Sequence, residues 1–147
     1  MKREIALAGL ALIIGLTTAS AAEPDNAADR KKLNGVWKGW VVEGKGEQPN
    51  QRRMAITLTI KGDTITGVQA DGKDLGEGTF TVRAVNGKGQ MEATRTKNPG
   101  RGQIHKGIYS LDGDTLKWCV SNPPGREAPG ELLSKTGQFL MILQKLK

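Results

Sequence analysis

The chain contains one histidine, His105, and one cysteine, Cys119. A thiol beside an imidazole can serve as a nucleophile, and these two fall in neighbouring strand-like runs. No third group stands near to orient the ring, and no local signature surrounds Cys119. A lone thiol on a strand is more often a small buried hydrophobe, with intermolecular pairing as the sharper alternative. Metal binding needs several converging ligands, which one His and one Cys do not supply. Asp112-Gly113-Asp114 opens like part of a calcium loop, but the further ligands and the closing Glu are missing, and a turn is the better reading. Glu77 and Glu92, on consecutive strand-like runs, are the carboxylates best placed for acid–base work, although charges on strands usually face solvent. Gly44-Lys45-Gly46 and Gly100-Arg101-Gly102 lack the strand–loop–helix setting of a phosphate loop and read as loop tips. The residue chemistry therefore points away from an enzyme and implies no cofactor and no metal.

The elements around these residues are short and β-forming. Eight runs can be drawn, roughly 35–43, 54–60, 64–69, 77–83, 89–96, 103–111, 114–121 and 138–145. Turn chemistry separates most of them: Gly62-Asp63, Asp71-Gly72, Asn86-Gly87, Asn98-Pro99-Gly100 and Asp112-Gly113. The last of these sits inside Gly107–Cys119, which reads as one hairpin because Asp-Gly tolerates the positive φ of a tight turn. Alternation assigns the faces. Met54, Ile56, Leu58 and Ile60 share one side of their run, as do Phe80 and Val82, and Leu116, Trp118 and Val120. In the last run Phe139, Met141 and Leu143 take the inner face. Leu140 and Ile142 make its outer face apolar too, so that face is either covered or an association surface. The first run is ambiguous, with Trp37 and Val41 on one side and Trp40 and Val42 on the other. Eight antiparallel runs joined by local hairpins suit a closed up-and-down barrel, which leaves no open edge. A two-sheet sandwich is the rival.

The N-terminus reads as a secretory signal over residues 1–21. Lys2 and Arg3 precede an apolar stretch from Ile5 to Leu16, and Ala19-Ser20-Ala21 fits the cleavage rule. The apolar stretch is short for a membrane span, and no cysteine follows it to accept a lipid. Secreted or periplasmic export as a soluble domain is expected, with no transmembrane helix after cleavage. Residues 22–32 are polar, with Asp25 as a possible N-cap of a short helix ending before Gly35. Residues 33–147 form one domain. The full chain carries a net charge of +7. A basic surface suits anionic partners such as an envelope polymer. Its basic residues are scattered, and aromatics make up only 4%, too few for the stacking platforms of a nucleic-acid binder.

Gly35-Val36-Trp37, opening the first strand after a short helix, resembles the G-x-W signature of lipocalins. The wider pattern is more specific. Leu33-Asn34-Gly35-Val36-Trp37-Lys38, Ile60-Lys61-Gly62-Asp63, Gly78-Thr79-Phe80, the Gly107–Cys119 hairpin and Pro123-Pro124-Gly125-Arg126-Glu127 together resemble the uncharacterised lipocalin-like domain abundant in planctomycete bacteria. Met91-Glu92 and Ala128 depart from that pattern, where an aliphatic residue before Asp and a basic residue before Pro are expected. The resemblance implies an all-β, eight-stranded antiparallel lipocalin-like barrel, exported, with a short N-terminal helix. It supplies no reaction. By analogy with lipocalins, whose tryptophan is covered by a basic side chain near the C-terminus, Lys145 is expected to lay its stem over Trp37; the alternative is that it reaches solvent.

An eight-stranded barrel is either filled by side chains or holds one small ligand. The first option makes the chain an envelope-associated interaction protein with a basic surface. The second makes it a binding module for an apolar or amphipathic ligand, lined by Trp37, Leu58, Phe80, Trp118 and Met141. The long Pro- and Gly-rich connection from Ser121 to Lys135 is either a lid over one end or a crossover packed on the outside.

Overall fold

The computed structural model describes residues 27–43, 53–85 and 87–147. The expected signal segment (1–21), residues 22–26, Gly44-Lys45-Gly46, Arg52 and Asn86 lie outside the described residues. A seven-residue helix, α1 (Ala27–Leu33), precedes eight strands: β1 (Gly35–Glu43), β2 (Arg53–Lys61), β3 (Thr64–Gln69), β4 (Asp74–Val85), β5 (Lys88–Arg95), β6 (Ile104–Asp112), β7 (Thr115–Ser121) and β8 (Gln138–Lys145). Each strand pairs antiparallel with the next, and β8 pairs back onto β1, so the sheet is a closed up-and-down barrel. The sandwich alternative is thereby excluded. Closure leaves no exposed ladder edge, which is how so short a meander avoids pairing with other chains.

The alternation sets the wall. Leu58, Ile60, Phe80, Val82, Leu116, Trp118, Val120, Met141 and Leu143 all belong to the interior cluster, together with Trp37 and Val41. On the outside, Ile108, Cys119 and Leu140 form a second apolar cluster with Ala128, Leu132 and Ile142. The β7–β8 connection therefore lies against the outer face of β6, β7 and β8. It is pinned there by hydrogen bonds from Gly125 N to Ile104 O (2.8 Å) and from Ser134 Oγ to Val42 O (2.9 Å). Lys88 Nζ donates to Gly130 O at 3.0 Å. This resolves two expectations at once. The connection is an outside crossover, not a lid, and it is what covers the apolar outer side of β8. Pro123, Pro124 and Pro129 have no backbone donor to satisfy, and Ala128 and Leu132 pack the irregular strip onto the wall.

One end of the barrel is plugged. Trp37 is fully buried and donates its indole Nε1–H to Leu33 O at 2.8 Å. Leu33, at the end of α1, is also fully buried. Asn34 Oδ1 accepts from Gly62 N, at the β2–β3 turn, at 2.8 Å. Tyr109 reaches up from β6 and donates to Asp29 Oδ2 of the helix at 2.7 Å. Lys145 closes the arrangement as expected. Its ammonium stands 5.5 Å from the Trp37 ring centroid and donates to Lys32 O at 2.9 Å. The stem also explains Gly35. This residue has φ +135°, and a Cβ there would come within 2.9 Å of Lys145 Cε. The glycine of the G-x-W tripeptide is thus required by backbone conformation and by the lysine passing over it.

Candidate functional site

The opposite end holds a cavity of about 230 Å³. It is bounded by β3, the ends of β1, β5 and β7 and the starts of β2, β4, β6 and β8. Its body is apolar: Val41, Met54, Ile56, Leu58, Ile65, Leu75, Ala93, Trp118, Val120, Phe139 and Met141 line it. At roughly 30 Å³ per water in the liquid, the space corresponds to about eight water-sized groups, enough for a small molecule or part of an alkyl chain. The space exists because several inward positions lack bulk. Gly67, Gly76 and Gly78 all line it, on two neighbouring strands.

Of the five residues expected to line a cavity, Leu58, Trp118 and Met141 do so. Trp37 and Phe80 do not. Both are buried in the interior, but Trp37 is committed to the plug and Phe80 packs in the interior cluster outside the cavity lining. Trp118 forms part of that lining. Its indole donates to Met91 O at 3.2 Å. The ring lies so close over Gly107 of the adjacent strand that a Cβ there would collide with its Nε1. The sequence run Gly107 to Trp118 is thus more than a hairpin: the glycine makes room for the ring.

The polar part of the lining was not foreseen. Arg95 and His105 both face the cavity near its mouth. Each is in phase with buried inward residues of its strand: Arg95 with Met91 and Ala93, His105 with Gly107 and Tyr109. Polar residues in an inward series were the available signal. Ala93 pairs directly with His105, so Arg95 sits one step diagonally from the histidine, within reach of a long side chain. The guanidinium donates from Nη2 to Leu75 O at 2.8 Å and from Nη1 to Pro99 O at 3.3 Å. It lies against Gly76, which has φ +118°; a Cβ there would come within 2.5 Å of Nη1. Burial pushes the His105 pKa down, and the charge of Arg95 adds to the effect. The imidazole is therefore neutral at pH 7. Glu77 is the acidic residue of the lining. Its carboxylate pairs with Lys97 at 2.6 Å, on the barrel rim.

The other chemical candidates do not assemble. Cys119 faces outward under the crossover, while His105 faces the cavity, so the wall separates them. The thiol donates to Leu133 O at 3.3 Å and accepts from Gln138 Nε2 at 3.4 Å. Burial pushes its pKa up, away from thiolate chemistry. Glu92 pairs across the sheet with Thr81, four residues along β4 from Glu77, a separation of about 13 Å at strand rise. The two carboxylates do not share a site. Asp112–Thr115 closes a two-residue hairpin, with Gly113 at φ +55° and Asp114 O accepting from Lys145 N. Among the described residues no three His, Cys, Asp or Glu side chains gather to hold a metal ion, and no helix is long and apolar enough to cross a membrane. Compared with protein-family models, curated proteins and solved structures, the chain matches none.

Proposed function

We propose that this chain is a non-catalytic binding module that takes a small apolar or amphipathic ligand into the unplugged end of its barrel. The observation that carries this reading is the cavity itself: among the described residues, an apolar chamber of about 230 Å³ at the end opposite the Trp37 plug. A filled interior, which the interaction-protein alternative needs, does not fit that chamber. Apolar pockets with a few placed polar groups are the usual form of small-ligand sites. Export through residues 1–21 and membership of the planctomycete-type lipocalin-like family belong to the same reading. An exported carrier of this kind needs no cofactor.

The test is direct. The domain from residue 22 onward is titrated with 1-octanol while tryptophan fluorescence, to which Trp118 contributes, and calorimetry are followed. Saturable binding is expected, because the indole forms part of the chamber wall. Ala93→Ile adds three carbons to an inward, buried position of the lining and is expected to abolish binding while leaving the fold intact. No saturable uptake by the unaltered domain, or undiminished uptake by the filled variant, refutes the reading. Native mass spectrometry of the protein from its own source adds the identity of any co-purifying molecule.

A further inference from the structure

The mouth of the chamber is chemically lopsided, and the imbalance bears on the ligand's polar end. Arg95 is half-buried, always charged, and has no carboxylate within ion-pair distance among the described residues. Two of its five N–H donors hold backbone carbonyls, Leu75 O and Pro99 O. Those bonds fix the plane of the guanidinium, and among the described residues the other donors make no further hydrogen bond. The seat is built into the backbone. Gly76 has a φ that favours glycine, and its missing Cβ is the space the guanidinium occupies; a Cβ at Gly100 would likewise come within 3.1 Å of Arg95 Cδ. Beside it, the His105 ring makes no hydrogen bond among the described residues, so its nitrogens are available to the chamber. The acidic rim residue, Glu77, is already neutralised by Lys97. A fixed cation, a neutral donor or acceptor next to it and an apolar chamber beneath define one ligand chemistry.

We infer that the ligand is an amphiphile whose anionic oxygen head group, a carboxylate or a phosphate, docks on Arg95 beside His105 while its apolar part enters the chamber over Trp118. This rests on the carrier reading above and narrows it from any apolar molecule to an anionic one. Arginine suits this role because its planar fork matches both oxyanions in two-point contact. The direction of binding follows from the fold. The far end is sealed by Trp37 and α1, so the head group must remain at the mouth.

The experiment compares octanoate, octyl phosphate and 1-octanol on the unaltered domain at low salt by calorimetry, which needs no variant to fold. At least one anionic ligand is expected to bind about tenfold or more tighter than the alcohol, and the tighter of the two identifies the head group. Arg95→Gln is expected to bring that ligand to the level of the alcohol and leave alcohol binding unchanged. His105→Gln, which keeps the carbonyl contacts of Arg95, is expected to retain the preference in weakened form. Equal affinity for all three ligands overturns the inference and leaves the carrier reading standing. Preference for an anion that persists in Arg95→Gln overturns the assignment to this arginine. Binding of none of the three removes the carrier reading, and the inference with it.

Discussion

Replacing Lys145 by methionine isolates the charge that closes the plugged end. Methionine keeps an unbranched apolar stem over Trp37, so the packing contribution of the lysine chain is retained. What is lost is the ammonium. It stands 5.5 Å from the indole centroid, a contact worth about 0.5–1 kcal/mol where water has access. It also donates to Lys32 O at 2.9 Å, and such a hydrogen bond contributes about 0.5–1.5 kcal/mol net. Lys32 lies in the last turn of α1, where a cation also offsets the partial negative charge of the helix end. That last contribution overlaps with the hydrogen bond, since the same two groups make both. The expected loss is thus about 1–2 kcal/mol, a fall in melting temperature of roughly 4–8 °C for a domain of this size. Urea denaturation followed by tryptophan fluorescence measures it. The same substitution in a Trp37→Phe background should cost less by about 0.5 kcal/mol, because the weaker ring gives up part of the contact beforehand. A loss below about 0.3 kcal/mol in the single variant would show that the ammonium adds nothing to the seal and that the lysine acts there only through its stem.

Tyr109→Phe removes the hydroxyl that bonds Asp29 at 2.7 Å; a charge-assisted bond of this kind predicts a cost of about 1–2 kcal/mol, with faster amide exchange confined to residues 27–33. His105 has a folded pKa below its ordinary 6.5, so the unfolded chain binds more protons as pH drops through that value. Stability should therefore fall as pH is lowered from about 6.5 to the depressed folded value and level off below it; His105→Gln should flatten that slope in urea titrations. Cys119 is buried and its pKa is raised, so iodoacetamide at pH 8 should label it far more slowly in the native domain than in urea, and labelling as fast as in urea would mean the crossover does not cover it.

Strand identity and facing were legible because the core positions keep strict period-two alternation and the turns carry Gly, Asn and Asp. Residues such as Leu58, Val82 and Leu116 can point only one way if the other face is to stay wet. The plug was legible for a different reason: Trp37 and Lys145 lie opposite each other in the β1–β8 pairing, which closure of the barrel brings about. Extent was less readable. The fourth run was expected over 77–83, yet β4 spans Asp74–Val85, because Gly76 and Gly78 weaken the local strand signal while the barrel wall imposes pairing on them. Division of the interior was not readable at all. Alternation places Trp37, Phe80, Trp118 and Met141 on one inner face, but it does not say at which height each stands. Direct strand pairing does not settle it either: Leu58, opposite Trp37, and Ala93, opposite Phe80, line the chamber, whereas Trp37 and Phe80 do not. Arg95 and His105 were overlooked because charged and polar residues are assigned to solvent by default, even where their phase points inward.

The two ends of this barrel apply the same residue type to opposite ends. At the plugged end Gly35 admits a lysine that completes a seal, and bulky side chains fill the interior: Trp37, Ile60, Phe80, Val82, Leu116 and Leu143 are each at most 2% exposed. At the other end Gly67, Gly76 and Gly78 withhold bulk, and a chamber results. A void of that size is not neutral. If it behaved like a truncation cavity, at about 24 cal/mol per Å³, leaving 230 Å³ unfilled would forgo about 5 kcal/mol; access of water to the mouth reduces that figure without changing its sign. A barrel whose task was only to present an outer surface would gain stability from any larger residue at Ala93 and lose nothing. A barrel that holds a ligand would gain the same stability and lose its binding. Ala93→Ile therefore separates the two roles by the sign of two measurements on one protein, and the seating of Arg95 on Gly76 is the local detail that makes the second outcome the expected one.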